Sequence, residues 1–219
     1  MLKILVTFAL RQEGVSFEGR LRRRKAKSDL ILGFLESQEI AIFWLGTGVR
    51  RQVEFERALS DGHFDLVINT GFAGAVQTAL EPGDFVLCAN FSSPEWLDRL
   101  KANALFEASG PFVSVDTVAG SEAKAQIAAE GNVVALDMES AQVAASCRKL
   151  SAPLVSARMI SDRSDEEIPS VFLRKGIRRP KDISQAIAFA GRMIVLRRRL
   201  ADRLVELIQA INLQTGAGE

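Results

Sequence analysis

Apolar residues in this chain come in short runs, separated by polar turns and by longer stretches with helical spacing. Lys3–Thr7 reads as a buried first strand that opens into the polar Arg11-Gln12-Glu13-Gly14. Leu30–Leu35 and Ile40–Leu45 read as two strands joined by the turn Glu36-Ser37-Gln38. Gly46-Thr47-Gly48 ends the second of them. Val49–Leu59 then has helical spacing, with Val53, Phe55 and Leu59 available to pack. Asp65–Thr70 is a short apolar strand followed by the glycine-bearing Gly71-Phe72-Ala73-Gly74-Ala75, and Pro82-Gly83-Asp84 marks a turn. Strands are predicted over Phe85–Ala89, Phe112–Val115, Val133–Leu136 and Pro153–Ile160. Helices are predicted over Pro94–Ala108, Ser121–Ala129 and Glu139–Leu150, the last with small residues along one face. A long helical pattern runs from Ile183 to Leu213, with Ile187, Ile194, Leu200, Leu204 and Ile208 as core candidates.

Strands alternating with helices predict an α/β fold: a three-layer α/β/α sandwich around a central sheet. The adjacent strands near residues 30–45 make that sheet mixed rather than purely parallel. Neither a repeat nor a low-complexity linker breaks the chain, which reads as one domain over residues 1–219. Asp162–Lys181 is charged and holds Pro169 and Pro180. It reads as a loop after a sheet strand, either a mobile lid or a plain solvated connection.

Composition narrows the function classes. A 47% hydrophobic and 25% charged chain is that of a globular protein with enough length to bury a core without disulfides or metal. The net charge of +1 gives no global pull toward nucleic acid or acidic membranes. Cys88 and Cys147 sit in apolar surroundings without a CxxC pattern. They read as buried thiols of a reduced, cytoplasmic compartment. The start, Met1–Val6, is a first strand rather than a secretory signal, and no apolar run reaches membrane-spanning length. The basic run Arg20–Lys27 has no interleaved aromatics for base stacking, so a solvated loop or strand edge is expected there, with no nucleic-acid partner. Arg197-Arg198-Arg199 reads as a solvated helix face.

Candidate chemistry then falls to acids. The single histidine, His63, reads as a surface loop residue, and the chain has no tyrosine. GxGxxG and Walker A patterns are absent, which sets dinucleotide and P-loop readings aside. Glu13, Glu139 and Asp162 each fall where a strand ends, the edge at which α/β sheets display functional groups. Three acids without a metal pattern suit glycosidic chemistry, one protonating the leaving group and another activating water. Taken singly, an N-cap or a salt bridge explains each of them as well. Glu139 in particular could begin its helix and favour the dipole.

Four segments in order carry a resemblance: Val67–Gly74, Pro82-Gly83-Asp84, Asp137-Met138-Glu139-Ser140 and Arg158-Met159-Ile160-Ser161-Asp162. Together they resemble the nucleoside phosphorylase superfamily, and within it the 5′-methylthioadenosine/S-adenosylhomocysteine nucleosidases. The likeness covers nearly the whole chain. Ile168–Arg199 also resembles the hopanoid-associated phosphorylase-like branch. The resemblance implies that Asp162 gives a proton to purine N7, for which its carboxyl must hold a proton or receive one with the substrate. It implies that Glu139 accepts hydrogen bonds from the ribose hydroxyls, bonds that strengthen as the sugar becomes an oxocarbenium ion. Glu13 would position the attacking water, with Arg158 steadying that acid or its neighbours. Met138 would lie under the ribose, and Val118 and Ala119 would offer backbone groups and an apolar wall to the purine. Phe72, Ala73 and Gly74 would line the floor, with Ser161 beside the acid at the substrate.

Three departures accompany the likeness. Phe72 stands where the nucleosidases and many phosphorylases carry Ser. The phosphorylase Gly-Asp-Pro-x-Arg loop is absent, replaced by Phe8-Ala9-Leu10-Arg11-Gln12-Glu13. Glutamate beside phosphate would be repulsive, so water is favoured as nucleophile, although Arg11 and Arg50 keep phosphate possible. Between Phe91 and Pro111 the chain is shorter than the nucleosidases, which implies a more open 5′ pocket. The first expectation is a nucleosidase acting on a 5′-modified adenosine or a related purine nucleoside, such as methylthioadenosine or S-adenosylhomocysteine, in methionine salvage. It would need no metal or organic cofactor and would assemble as a homodimer or larger. A phosphate-dependent phosphorylase, for instance one acting on a hopanoid-linked nucleoside, is the second. A non-catalytic nucleoside-binding protein is the third.

Overall fold

A computed structural model describes residues 1–101, 103–167 and 180–216. Its centre is β1 (Lys3–Phe8), β4 (Gln38–Trp44), β5 (Leu66–Asn69) and β11 (Leu154–Asp162), which run parallel in the order β4-β1-β5-β11. β2 (Arg22–Lys27) and β3 (Leu30–Leu35) add antiparallel strands beyond β4, and β2 forms the edge. On the other side, β6 (Phe72–Ala75) pairs parallel with β11, followed by β10 (Ala135–Asp137) and β9 (Phe112–Ser114). β7 (Phe85–Cys88) pairs antiparallel with β11 and carries β8 (Ala108–Gly110). The sheet is therefore mixed, as expected.

Side-chain alternation along β1 explains the layers. Ile4, Val6 and Phe8 point into one apolar core with α1 (Arg11–Glu18), α3 (Pro94–Leu100) and α6 (Pro180–Gly216). Leu5 points into another, with α2 (Gln52–Gly62) and α5 (Ser140–Lys149). A third cluster, including Ala73, Val86, Phe112, Ala135 and Ile160, fills the half of the sheet around β6, β7, β9 and β10. α4 (Ser121–Glu130) completes the helices.

Several local expectations are corrected. Arg11–Glu18 is helical, and the glycine-bearing segment after Thr70 is largely strand, β6 covering Phe72–Ala75. The helix expected over Pro94–Ala108 ends at Leu100, because Ala108–Gly110 pairs with β7 instead. Val53 is 69% exposed and Ile187 68%, and Ile194 is also exposed, so none of the three is core. The buried stripe of α6 is Leu196, Leu200, Leu204, Leu207 and Ile211, stepped three or four residues apart. The basic run is an exposed edge strand. His63 is an exposed residue that ends α2 in the left-handed conformation. Residues 168–179 lie outside the described residues, and with them most of the loop expected over Asp162–Lys181 and the first part of the hopanoid-branch likeness.

Candidate active site

The parallel strands all end at one edge of the sheet, and a pocket of about 180 Å³ opens there. Glu13, Phe72, Ala73, Gly74, Val118, Ala119, Met138, Glu139, Ser161 and Asp162 all line it. Arg158 stands behind the wall rather than on it. The lining also includes Ala9, Leu10, Thr47, Val115, Lys124, Leu136 and Asp137.

Each acid is placed by a local device. Glu13 lies in the first turn of α1, where its Oε2 accepts from the Leu10 N–H at 3.2 Å. α1 can lie this close to the sheet because position 14 is glycine: a Cβ there would fall 2.7 Å from the rings of Phe8 and Trp44. Burial raises the Glu13 carboxyl from 4.5 to about 7, and the nearby Glu139 adds to the rise against the opposing Leu10 N–H and Arg158. Such a carboxyl is ready to act as a base near neutrality.

Glu139 sits at the N-cap position of α5 but does not cap it. The helix start is served instead by Asp137, which accepts from Ser140 N at 3.2 Å, and by Ser114 Oγ, which accepts from Ala141 N at 2.9 Å. Glu139 is thereby free to face the pocket, where its Oε1 accepts from Gly48 N at 3.0 Å. Burial raises its pKa, opposed by Arg158.

Arg158 is fully buried on β11. Its Nε donates to Asp137 Oδ2 at 2.9 Å and its Nη2 to Ser140 Oγ at 3.3 Å, while Nη2 lies 4.0 Å from Glu139 Oε2. Its Nη1 is buried without a hydrogen-bond partner. A Cβ on Gly71 would lie 3.0 Å from Glu13 Oε2 and 3.7 Å from that Nη1. Gly71, at φ +140°, thus leaves open a space between an acceptor and an unused donor, a suitable seat for water. Below, Asn69 ties Thr7, Ser140 and Ser156 into one buried polar network.

Asp162 is aimed by a bulge. β11 pairs Ile160 with Ala73 and Asp162 with Gly74, so Ser161 is the extra residue and both it and Asp162 reach the pocket. Ser161 Oγ donates to Asp162 Oδ1 at 2.5 Å and contacts Ala73 O at 3.2 Å. The other oxygen, Oδ2, accepts from Lys124 Nζ at 2.5 Å.

Lys124 and Asp137 were given no role from the sequence. Asp137 was visible as the first acid of Asp-Met-Glu. Lys124 gave no signal, because nothing in the polar, alanine-rich α4 marks one lysine for burial. Arg11 and Arg50 are both exposed and absent from the lining, and Arg11 pairs with Glu18 at 3.8 Å. Among the described lining residues, Lys124 is the one cationic side chain beside four carboxylates. Among the described residues, no group of three or more His, Cys, Asp or Glu could hold a metal ion, and no helix is long and apolar enough to cross a membrane.

The profile of the Phosphorylase superfamily matches residues 88–190. This stretch starts at the last residue of β7, carries β8 through β11 and ends in α6. By fold, the chain is similar to solved nucleosidase structures. A solved structure of a 5′-methylthioadenosine/S-adenosylhomocysteine nucleosidase from S. pneumoniae, with a transition-state inhibitor, superposes with a TM-score of 0.75. It is 21% identical and covers 96% of this chain and 100% of its own. The nucleosidase from Neisseria meningitidis, in complex with methylthio-immucillin-A, gives 0.74 at 22% identity, again covering 96% and 100%. The 5′-methylthioadenosine/S-adenosylhomocysteine nucleosidase of Actinobacillus succinogenes is 34% identical over 140 residues. That stretch is 49% of this chain and spans 60% of the relative's length.

Proposed function

We propose that this protein is a nucleosidase, a single-domain enzyme that hydrolyses the N-glycosidic bond of a purine nucleoside. A 5′-modified adenosine is the favoured substrate, in keeping with the 5′-methylthioadenosine/S-adenosylhomocysteine nucleosidases it resembles. The observation that carries this reading is one pocket wall bearing three differently held acids. Asp162 lies beside Gly74 on the pocket floor, where a purine would present N7. Glu139, fixed by Gly48 N–H, offers its remaining oxygen to ribose hydroxyls and stabilises positive charge growing on the sugar. Glu13, its pKa about 7, takes a proton from water seated near Arg158 Nη1.

Water is favoured over phosphate by the charge of the lining. A phosphate dianion would enter a pocket with four carboxylates and one lysine that is already paired. Cytoplasmic location, a role in methionine salvage and assembly as a homodimer or larger belong to the same reading. The test is release of free base from methylthioadenosine, adenosylhomocysteine, adenosine and inosine, each with and without phosphate. Release without phosphate is expected. Release that strictly requires phosphate would make the protein a phosphorylase, and no release from any of them would favour a nucleoside-binding role.

A further inference from the structure

Lys124 is 1% exposed, on a helix whose other residues are mostly open to solvent. A buried lysine with no task is a costly choice, since desolvating an ammonium costs several kcal/mol even when paired. Its Nζ has three acceptors in reach: Asp162 Oδ2 at 2.5 Å, Arg163 O at 2.6 Å and Glu166 O at 3.5 Å. The two carbonyls can only accept, as can Asp162 Oδ2 while it is a carboxylate oxygen, and an ammonium has one N–H group for each of the three. Asp162 is matched from the other side, because it accepts from Ser161 Oγ as well. Lys124 and Asp162 thus make a buried ion pair, an ammonium beside a carboxylate. A carboxylate has no proton to give to a leaving base.

We infer that Lys124 supplies the proton that Asp162 passes to the departing base, and so acts as a positioning residue through Asp162. The inference rests on the nucleosidase reading above. As the C1′–N9 bond breaks, its electron pair goes to the base. A proton moves from Lys124 Nζ to Asp162, and the Asp162 proton moves to N7. Water adds to C1′ and gives its proton to Glu13. Glu13 returns that proton to solvent, and Lys124 regains one from solvent, so the cycle closes with one water consumed. The two carbonyl contacts, from the backbone just after β11, hold Nζ against Asp162 while this happens.

Arginine separates this role from a structural one. It keeps the positive charge and can pair with Asp162, but it does not give up a proton in proteins. K124R and K124Q are assayed on the best purine nucleoside and on 4-nitrophenyl β-ribofuranoside, whose phenolate leaves without a proton. Both variants are expected to slow base release from the nucleoside by about 10²–10⁴-fold, the usual contribution of general acid catalysis. Loss on the nitrophenyl riboside should stay below about tenfold in K124R, by the same reasoning. A K124R enzyme as fast as wild type on the nucleoside overturns the inference. Equal losses on both substrates, or a K124R protein that does not fold, also overturn it, because they make the lysine purely structural. Wild-type protein that releases no base from any nucleoside sinks the nucleosidase reading itself. Active wild type with active lysine variants sinks this inference alone.

Discussion

A carboxyl with a pKa of about 7 in the folded protein ties activity and stability to the same proton. As the base toward water, Glu13 must be ionised. Base release should rise with pH through about 7 and level off above it, and E13Q should lose most turnover and that limb of the profile. A limb that survives in E13Q belongs to another group and removes Glu13 from the role. Stability runs the other way. The folded pKa lies above the ordinary 4.5, so the native state binds this proton more tightly than the unfolded chain. The favourable contribution is full below about pH 4.5 and is lost as pH rises through about 7. The Tm of E13Q, relative to wild type, should therefore climb between pH 5 and pH 8. A gap that stays constant with pH would mean that Glu13 does not titrate in that window. Asp162 carries a plainer expectation: D162N should lower base release by about 10²–10⁴-fold, and near-normal turnover would remove it from acid catalysis.

Among the elements, α1 shows how a site depends on packing away from the chemistry. Gly14 lets the helix rest on Phe8 and Trp44 and so sets the distance of Glu13 from the pocket. G14A puts a methyl group within 2.7 Å of both rings, which lifts the helix or displaces the aromatics. Overpacking of this kind costs about 1–3 kcal/mol, readable by denaturant unfolding, and turnover should fall with it. Stability within error of wild type would show that the helix seats itself by other contacts. The same helix shows where sequence reading stopped. Arg11–Glu18 is short, carries a glycine and places few apolar residues, so periodicity had little to register. In α6 the pattern was found but its phase was not, since Ile187 and Ile194 are as apolar as the leucines that face inward. Strands were more legible, because those of the central sheet are buried on both faces and read as continuous apolar runs. β2 is the exception, a fully exposed strand of Arg and Lys at the sheet edge. Such charges keep an edge from pairing with another chain. Replacing Arg22, Arg24 and Lys25 with Thr should promote self-association in light scattering while leaving base release intact. An unchanged monodisperse sample would assign the charges another purpose.

At the scale of the whole molecule, the acids come from distant parts of the chain. Glu13 arrives on α1, Glu139 at the start of α5 and Asp162 at the end of β11, and the lysine arrives on α4. The three acids were legible because each follows a recognisable strand end. Lys124 was not, because its burial depends on how the segment after β11 folds back over α4, a long-range contact that local pattern does not encode. Because the pocket's lining is gathered from so much of the chain, the site exists only when the molecule is folded, and a ligand that fills it stabilises the whole fold. At a hundred times its Kd, a ligand adds about 2.7 kcal/mol. For a domain of this size, each kcal/mol raises Tm by about 2–4 °C. Base and sugar subsites can then be separated without turnover, using a free purine and a purine-like C-nucleoside that has no N-glycosidic bond to break. The C-nucleoside should raise Tm more than the base in the wild-type protein, because on the proposed reading its sugar also engages Glu139. In E139Q the C-nucleoside should lose that advantage while the base keeps its own shift, since the proposed reading puts the base toward Gly74 and Asp162. Equal losses for both ligands would mean that Glu139 shapes the pocket as a whole rather than holding the sugar. Ribosides and 2′-deoxyribosides extend the comparison to rate: a larger loss on the riboside in E139Q places the contact at the 2′-hydroxyl, and equal losses place it elsewhere.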